Sequence, residues 1–194
     1  MSRSAGTTGR AERIAVLTSG GDAPGMNAAV RAATLFAISR GCEVLGVQRG
    51  YRGLIDGDFR RLGPEDVGGI IREGGTILGS VRCKEFHDRE VRDVARARLR
   101  EHGVGGLVVI GGNGSLAGAD VLGDPAEAGD EAPRVVGIPA SIDNDIGFTG
   151  LAIGVDTAMN TITEASFRAM PRRGRMEGSV SVTATRRRIG FQVP

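Results

Sequence analysis

The sequence predicts an α/β fold in three αβα layers, with a mostly parallel, Rossmann-like sheet between two layers of helices. Three observations predict it. Short segments rich in Val, Ile and Leu alternate with longer segments whose apolar residues recur at helical spacing. The short segments are continuously apolar, which is typical of strands buried on both faces of a parallel sheet. Loops rich in Gly or Asp follow three of them, and such loops meet at the carboxyl ends of parallel strands.

The first half of the chain predicts two strands and three helices after a disordered tail at residues 1–12. Pro24 suits the start of the first helix and Gly41 suits its end. In chain order the predicted bounds are a strand at 13–17, a helix at 26–39, a strand at 43–47, a loop at 50–58, a short helix at 64–73 and a helix at 88–102.

The helix predicted at 88–102 has one apolar face, formed by Val91, Val94, Ala95 and Leu99. Its basic residues are expected to form a solvated face: Arg92, Arg96, Arg98 and Arg100. The second half of the chain continues the alternation, with a strand at 106–110, a helix from near Ser115, a polar loop at 123–133, a strand at 134–138 and a helix at 154–169.

Composition excludes several classes of protein. Of the 194 residues, 40% are hydrophobic and 25% are charged, which supports a folded core and excludes a disordered chain. The formal charge of +2 gives no electrostatic signature of nucleic acid binding. No window approaches the roughly 18 apolar residues of a membrane span, and the N-terminus lacks the apolar core of a secretory signal. Two cysteines cannot build a disulfide framework, so we expect a reducing, cytoplasmic location. The charge and the lack of an apolar window lead us to expect no nucleic acid or membrane partner.

The first loop, at 19–27, places adjacent glycines directly before a helix. This arrangement leaves backbone N–H groups free to face an anion, and the helix dipole favours negative charge there. The loop is neither a Walker A motif nor a GxGxxG dinucleotide fingerprint. The alternative interpretation is a tight strand-to-helix turn that needs glycine for packing.

The second loop, at 111–115, reads GGNGS and also lies between a strand and a helix. Gly114 removes any side chain from the approach to a phosphate, and Ser115 offers a hydroxyl or a helix cap. Simple capping explains Ser115 but does not explain three glycines in four residues.

The third loop, at 141–145, carries two carboxylates. In an extended chain Asp143 and Asp145 point the same way, and two neighbouring carboxylates repel unless a cation or proton lies between them. This pattern suits Mg²⁺ with a general base nearby, but for this loop taken alone an Asx-rich turn is the favoured interpretation. Together, two phosphate-type loops and one paired-carboxylate loop indicate phosphoryl transfer.

At these residues the chain resembles the 6-phosphofructokinase family, over about residues 13–165. Five blocks carry the resemblance, in the order in which the family has them: LTSGGDAPGMNAAVRA at 17–32, GGTILGSVR at 74–82, LVVIGGNGS at 107–115, GIPASIDNDI at 137–146 and IGVDTAMNTITEA at 153–165. The resemblance implies a phosphofructokinase-like fold and a glycolytic enzyme that phosphorylates the 1-hydroxyl of fructose 6-phosphate with ATP and Mg²⁺.

The resemblance also implies roles for individual residues. Asp143 would be the catalytic base, and Asp145 would support the base and Mg²⁺. Fructose 6-phosphate would face Ser141, Ile142 and Asp143. Contacts with ATP would come from Gly21, Arg82, Cys83, Gly112, Asn113, Gly114 and Ser115, with Asn113 at the metal.

The chain departs from the family pattern in three places. Asn113 stands where the family has a Mg²⁺-associated Asp, and Ser141 stands where Thr is usual. Residues 166–194 diverge, and the family's second domain, which binds much of the sugar phosphate, does not follow. We therefore expect residues 13–165 to be the nucleotide-binding domain of a truncated subunit, which would be a homo-oligomer if complete.

Three alternative functions remain open. A pyrophosphate-dependent relative typically has a bulkier acidic residue at the position of Gly114 and a Lys at that of Ala140, and this chain has neither. The NAD and lipid kinases share a GGDG-like loop but not the other blocks. A nucleotide-binding fragment without turnover agrees with Asn113 and with the absence of the second domain.

Overall fold

The computed structural model describes residues 12–169, 181–185 and 188–192. The disordered tail was predicted at residues 1–12, and all of these except Glu12 lie outside the described residues. Within these ranges the strands are β1 (Arg13–Ser19), β2 (Glu43–Val47), β3 (Phe59–Arg61), β4 (Val104–Gly111), β5 (Arg134–Pro139), β6 (Ser181–Thr185) and β7 (Arg188–Gln192). The helices are α1 (Met26–Ser39), α2 (Tyr51–Asp56), α3 (Arg89–Glu101), α4 (Asn113–Leu122), α5 (Pro125–Ala128) and α6 (Val155–Ala169).

The main sheet has the strand order β3-β2-β1-β4-β5, and β6 and β7 form a separate antiparallel pair. β1 is parallel to both β2 and β4, and β4 is parallel to β5, so the predicted, mostly parallel sheet is confirmed. The chain leaves β1 to one side to form β2 and later returns to the other side to form β4. The topological switch point therefore lies between β1 and β4, where ligands bind on sheets of this kind.

Two apolar clusters cover the two faces of the sheet. On one face Leu17 of β1 packs with residues of α2, α3 and α4. On the other face Val16 packs with Met26 and Val30 of α1 and with the segment at 62–78. Consecutive residues of β1 are thus buried on opposite faces, which explains why this strand is continuously apolar. The helical cover is incomplete at the edge strand β5, where Val136 is 61% exposed.

Three connecting segments differ from the sequence predictions. The predicted loop at 50–58 contains α2 and precedes the antiparallel edge strand β3, because Tyr51 and Leu54 are both buried and anchor a helical turn despite the neighbouring glycines. The predicted helix at 64–73 is a series of turns with one 3₁₀ turn at Ile70–Arg72, since Gly69 adopts a positive φ of 84°. The predicted loop at 123–133 contains α5, which Asp124 caps by accepting a hydrogen bond from the Ala126 N–H.

The prediction of a solvated basic face on α3 is wrong for two of its four arginines. Arg92 is 9% exposed and Arg96 is 3% exposed. Val94, assigned to the apolar face, is 42% exposed. The physical reason lies outside the helix: Glu127, on the short helix α5, forms ion pairs with both guanidinium groups. The sequence therefore indicated correctly that this face of α3 is polar, but Arg92 and Arg96 are buried and not solvated.

Candidate active site

A cleft with a volume of about 480 Å³ opens at the carboxyl ends of β1, β4 and β5. The three predicted loops converge on it, together with the segment at 82–87 and one face of α4. All the residues selected from the sequence line this one cleft: Gly21, Arg82, Cys83, Gly112, Asn113, Gly114, Ser115, Ser141, Ile142, Asp143 and Asp145. Residues up to 124 positions apart in the chain thus share a single site, because β1, β4 and β5 are adjacent parallel strands.

The first two loops pack tightly against each other at the switch point. The register of β1 and β4 pairs Ser19 with Gly111. A Cβ atom on Gly111 would lie 2.5 Å from the Ser19 carbonyl oxygen and 2.8 Å from the Ser115 Cβ. A Cβ on Gly20, whose φ is positive at 92°, would lie 3.2 Å from the Ser115 hydroxyl oxygen. Packing therefore accounts for both glycines, and for Gly20 this agrees with the alternative interpretation of the first loop.

Gly114 has a different explanation. A Cβ atom there would meet nothing within 4 Å, so packing does not require glycine at this position. Gly114 lies in the first turn of α4, and no side chain among the described residues caps this helix. The Ser115 N–H donates to the Gly112 carbonyl oxygen at 3.0 Å, and the N–H groups before it lack a carbonyl one turn back in the helix. Ser115 is buried inside the helix and does not act as its cap. The first turn of α4 is consequently an open, uncapped helix N-terminus that faces the cleft, which is a favourable environment for an anion.

The third loop is a turn and not the extended strand that the spacing of its carboxylates suggested. Asn144 has a positive φ of 50°, and its N–H donates to the Ser141 carbonyl oxygen at 3.4 Å. The Ser141 hydroxyl donates to the Asp145 carboxylate at 3.1 Å. The Asn113 side-chain amide donates to the Asp145 carbonyl oxygen at 3.0 Å, which ties this loop to the start of α4. Asp143 is exposed and makes no hydrogen bond or ion pair with any residue that the structure describes.

Two cations at the cleft are also without partners among the described residues. Arg82 and Lys84 are exposed and line the cavity. Between them, the Cys83 thiol donates to the Glu85 carboxylate at 3.4 Å. Burial raises the pKa of Cys83, and the hydrogen bond and charge of Glu85 raise it further, which favours the neutral thiol over the thiolate. The available positive charge of this wall therefore belongs to Arg82 and Lys84.

The deeper wall of the cleft is aromatic, and the sequence patterns did not reveal it. Tyr51 of α2 stacks on Phe86 with 3.9 Å between the ring centroids. The Tyr51 hydroxyl donates to the Ser115 carbonyl oxygen at 2.6 Å, and burial raises the pKa of this phenol. A Cβ on Gly118 would be 3.4 Å from both rings. These contacts join three elements that are distant in the chain, so no local signal in the sequence could have identified them.

The chemistry of the donor groups limits which metal could bind here. No group of three or more His, Cys, Asp or Glu side chains is close enough for a metal within the described ranges. Asp143 and Asp145 offer carboxylates, Asn113 an amide oxygen and Ser115 a hydroxyl. Mg²⁺ is usually held by one or two carboxylates together with waters and substrate phosphates. The residues present fit Mg²⁺ bound in this shared manner and do not fit a metal held by the protein alone.

The fold and the cleft define a class of protein: an α/β protein with a cleft at its switch point onto which an uncapped helix N-terminus opens. The family model described as Phosphofructokinase matches residues 13–172, and the chain belongs to this family. It is 58% identical over 154 residues to the ATP-dependent 6-phosphofructokinase of Thermotoga neapolitana, a match that covers 79% of this chain and 47% of that protein. The corresponding enzyme of Halothermothrix orenii is 47% identical over 184 residues, which cover 93% of this chain and 53% of that protein.

Solved structures agree with this assignment. Phosphofructokinase from Saccharomyces cerevisiae superposes with a TM-score of 0.75 at 40% identity, covering 81% of this chain and 24% of that one. A pyrophosphate-dependent phosphofructokinase from Marinobacter aquaeolei has a TM-score of 0.69 at 21% identity, covering 81% of this chain and 41% of that one, and it shares the fold. The chain spans about half the length of the curated relatives it matches. Among the described residues no helix is both long and apolar enough to cross a membrane.

Proposed function

We propose that this chain binds Mg·ATP and transfers the γ-phosphoryl group to the 1-hydroxyl of fructose 6-phosphate, which gives fructose 1,6-bisphosphate and ADP. The observation that carries the proposal is the convergence of three strand-end loops on one cleft. That cleft combines an open helix N-terminus with two cations and a carboxylate that have no partner among the described residues. Phosphoryl transfer depends on positioning and charge stabilisation, and these are the groups it needs.

The phosphates of ATP would lie against the first turn of α4 and the backbone of Gly21. The N–H groups at 112–114 would donate to phosphate oxygens, since the Ser115 N–H already donates to the Gly112 carbonyl oxygen at 3.0 Å. Arg82 is exposed and has no partner among the described residues, so its guanidinium can form a bidentate contact with the transferring phosphate. Cys83 would contact the nucleotide as a neutral thiol.

Asp145 and Asn113 would hold Mg²⁺ together with the phosphates and waters. The ion would neutralise charge on the phosphate oxygens during transfer. The hydrogen bonds from Ser141 and Asn113 to Asp145 orient this residue, so the third loop and α4 would respond together to the nucleotide.

Asp143 would act as the general base. Its carboxylate would accept the proton of the sugar 1-hydroxyl as that oxygen attacks the γ-phosphorus and the bond to ADP breaks. Ser141 and Ile142 precede it in the same turn and would contact the sugar phosphate. A base must be free to receive a proton, and Asp143 has no competing donor among the described residues.

The choice of donor follows from the space around the first turn of α4. Gly114 leaves open space, and Ala140 is a small side chain in the lining of the cleft. The space at these positions admits the α-phosphate that carries the adenosyl group. Bulkier side chains at positions 114 and 140 would leave space for pyrophosphate alone. We propose ATP as the donor for this reason.

Location, assembly and domain organisation form a further part of the proposal. Residues 13–165 would be the nucleotide-binding domain, and residues 166–194 a divergent segment. As the resemblance implies, a second domain would supply other contacts with the sugar phosphate, and the enzyme would be a cytoplasmic, glycolytic homo-oligomer.

A second candidate function is nucleotide binding without turnover. One observation favours it: the side chain at the metal position is the neutral amide of Asn113, which donates a hydrogen bond to the Asp145 carbonyl oxygen. An amide offers Mg²⁺ an oxygen but no charge.

A coupled assay for fructose 1,6-bisphosphate distinguishes these functions. The 194-residue chain is supplied with fructose 6-phosphate and Mg²⁺, and with either ATP or pyrophosphate. Product formed with ATP and not with pyrophosphate supports the proposal. ATP binding without product at high fructose 6-phosphate supports the second candidate, and product with pyrophosphate alone contradicts the donor assignment.

A further inference from the structure

Two nearly buried arginines on α3 share one carboxylate from a distant segment. Arg92 donates through Nε and Nη2 to the two carboxylate oxygens of Glu127, at 2.8 and 2.9 Å. Arg96 donates to the same carboxylate at 3.1 Å. The Glu127 side chain is only 15% exposed. Glu127 is therefore a counter-ion shared by two guanidinium groups that are removed from water. Arg96 has a second carboxylate partner, Asp93 at 2.7 Å, whereas Arg92 forms its ion pair with Glu127. A buried charge that loses its partner is strongly destabilising.

Other donors of these two arginines reach the backbone of two further segments. Arg92 Nη1 donates to the carbonyl oxygens of Phe86 and His87, at 3.0 and 2.5 Å. Arg96 donates to the carbonyl oxygens of Val121 and Leu122 in the last turn of α4, at 2.9 and 3.1 Å. Each nitrogen of Arg92 makes at least one hydrogen bond, and four of its five N–H donors are used in this way. Its contacts fix the turn that carries Phe86 and His87.

The two segments held in this way form the end of the cleft that is remote from the phosphate loops. Phe86, His87, Gly118 and Val121 line this end. An α-helix rises about 1.5 Å per residue, so Val121 lies about 12 Å along α4 from its first residue, Asn113. A triphosphate at the first turn of α4 would place its nucleoside at this end, between the turn at 84–87 and the side of α4.

We propose that Glu127 is a positioning residue for the nucleoside of the donor: through Arg92 and Arg96 it holds the turn at 84–87 and the end of α4 at the separation that the nucleoside needs. This inference rests on the proposed function, because it takes a nucleotide as the donor. The hydrogen bond from Arg92 holds the pKa of Glu127 below its ordinary value, so the carboxylate is charged at neutral pH. Glu127 itself does not line the cleft, so it acts through the arginines and not by contact.

The test compares two ligands that differ only in the nucleoside. Binding of Mg·ATP and of Mg·tripolyphosphate is measured by isothermal titration calorimetry for the wild type and for Glu127→Gln, which keeps the shape of the side chain and removes its charge. The matched control is Glu90→Gln, an exposed residue of α3 that lies outside the cleft. We expect Glu127→Gln to weaken Mg·ATP by about tenfold, since small misplacements at a binding site have effects of this size or larger. Affinity for Mg·tripolyphosphate should stay at the wild-type value, and the control should change neither.

The outcomes separate the inference from the proposed function. Equal weakening of both ligands, or no change in either, overturns the positioning role of Glu127. A wild type that binds neither ligand contradicts the proposed function itself. If Glu127→Gln does not fold, Glu127→Asp replaces it, because this variant keeps the charge and shortens the reach. Its Mg·ATP affinity should then fall below that of the wild type while its tripolyphosphate affinity does not, and an unchanged Mg·ATP affinity overturns the inference.

Discussion

Asp143 is the residue on which the proposed chemistry depends. It lies in the turn after β5, it is exposed to the cleft, and no described residue donates to it. Asp145, two positions further along, accepts a hydrogen bond from Ser141. One carboxylate of the pair is therefore free and the other is oriented by a neighbour, which suits a base beside a metal-supporting group.

Replacement of Asp143 by Asn should separate catalysis from binding. Asn keeps the shape of the side chain and removes its basicity, and a general base contributes about 10²–10⁴-fold to the rate. We expect kcat to fall by at least about a hundredfold while calorimetric ATP affinity stays unchanged. Asp120→Asn is the matched control, since Asp120 is exposed on α4 outside the cleft. A variant that retains its rate would show that another group accepts the proton.

Asn113 offers a second test at the scale of single residues. Asn113→Asp exchanges a hydrogen-bond donor to the Asp145 carbonyl oxygen for a negative charge. A carboxylate beside a hard cation should strengthen Mg²⁺-dependent ATP binding by about tenfold, or ~1.4 kcal/mol. Titrations with Mg²⁺ at fixed ATP measure this change. Asn160→Asp, which adds the same charge on α6, controls for net charge. Unchanged or weaker Mg²⁺ dependence would mean that position 113 does not face the metal.

At the scale of elements, glycines three positions apart serve different purposes. Gly111 ends β4 where a Cβ would collide with the backbone of β1, whereas Gly114 begins α4 facing open space. Gly111→Ala should destabilise the protein by about 1–3 kcal/mol, the usual effect of overpacking. Gly114→Ala should be at least as stable as the wild type, since Ala is the better helix former, but it should bind Mg·ATP more weakly. Thermal unfolding of both variants, with calorimetry on the second, checks this. Equal melting temperatures for Gly111→Ala and the wild type would contradict the packing argument.

Elements with strong local patterns were predictable from the sequence. The helix predicted at 26–39 has the bounds of α1, and the four parallel strands β1, β2, β4 and β5 were located to within two residues at each end, whereas β3, β6 and β7 were not predicted. The elements that were missed depend on distant contacts. α2 forms because Tyr51 and Leu54 are buried against other segments, and Arg92 and Arg96 are buried because Glu127 reaches them from α5. The glycine-rich sequence around α2 and the charged sequence of α3 do not indicate which distant residues will pack against them.

At the scale of the whole molecule, the site arises from the order of the strands. β1 and β4 are separated by more than 80 residues in the chain, yet they are neighbours in the sheet. The sequence patterns, with the family resemblance, selected residues that the fold brings into one cleft. The aromatic pair of Tyr51 and Phe86 and the counter-ion Glu127 could not be predicted in this way, because their roles follow from packing between helices.

Whether this cleft accepts a nucleoside triphosphate is measured by calorimetric titration of the 194-residue chain with Mg·ATP and with Mg·pyrophosphate. Binding does not require turnover, so the measurement is independent of the sugar phosphate and of the catalytic base. The space beside Gly114 and Ala140 predicts that Mg·ATP binds more tightly than Mg·pyrophosphate. Equal affinities, or tighter binding of Mg·pyrophosphate, would contradict the account.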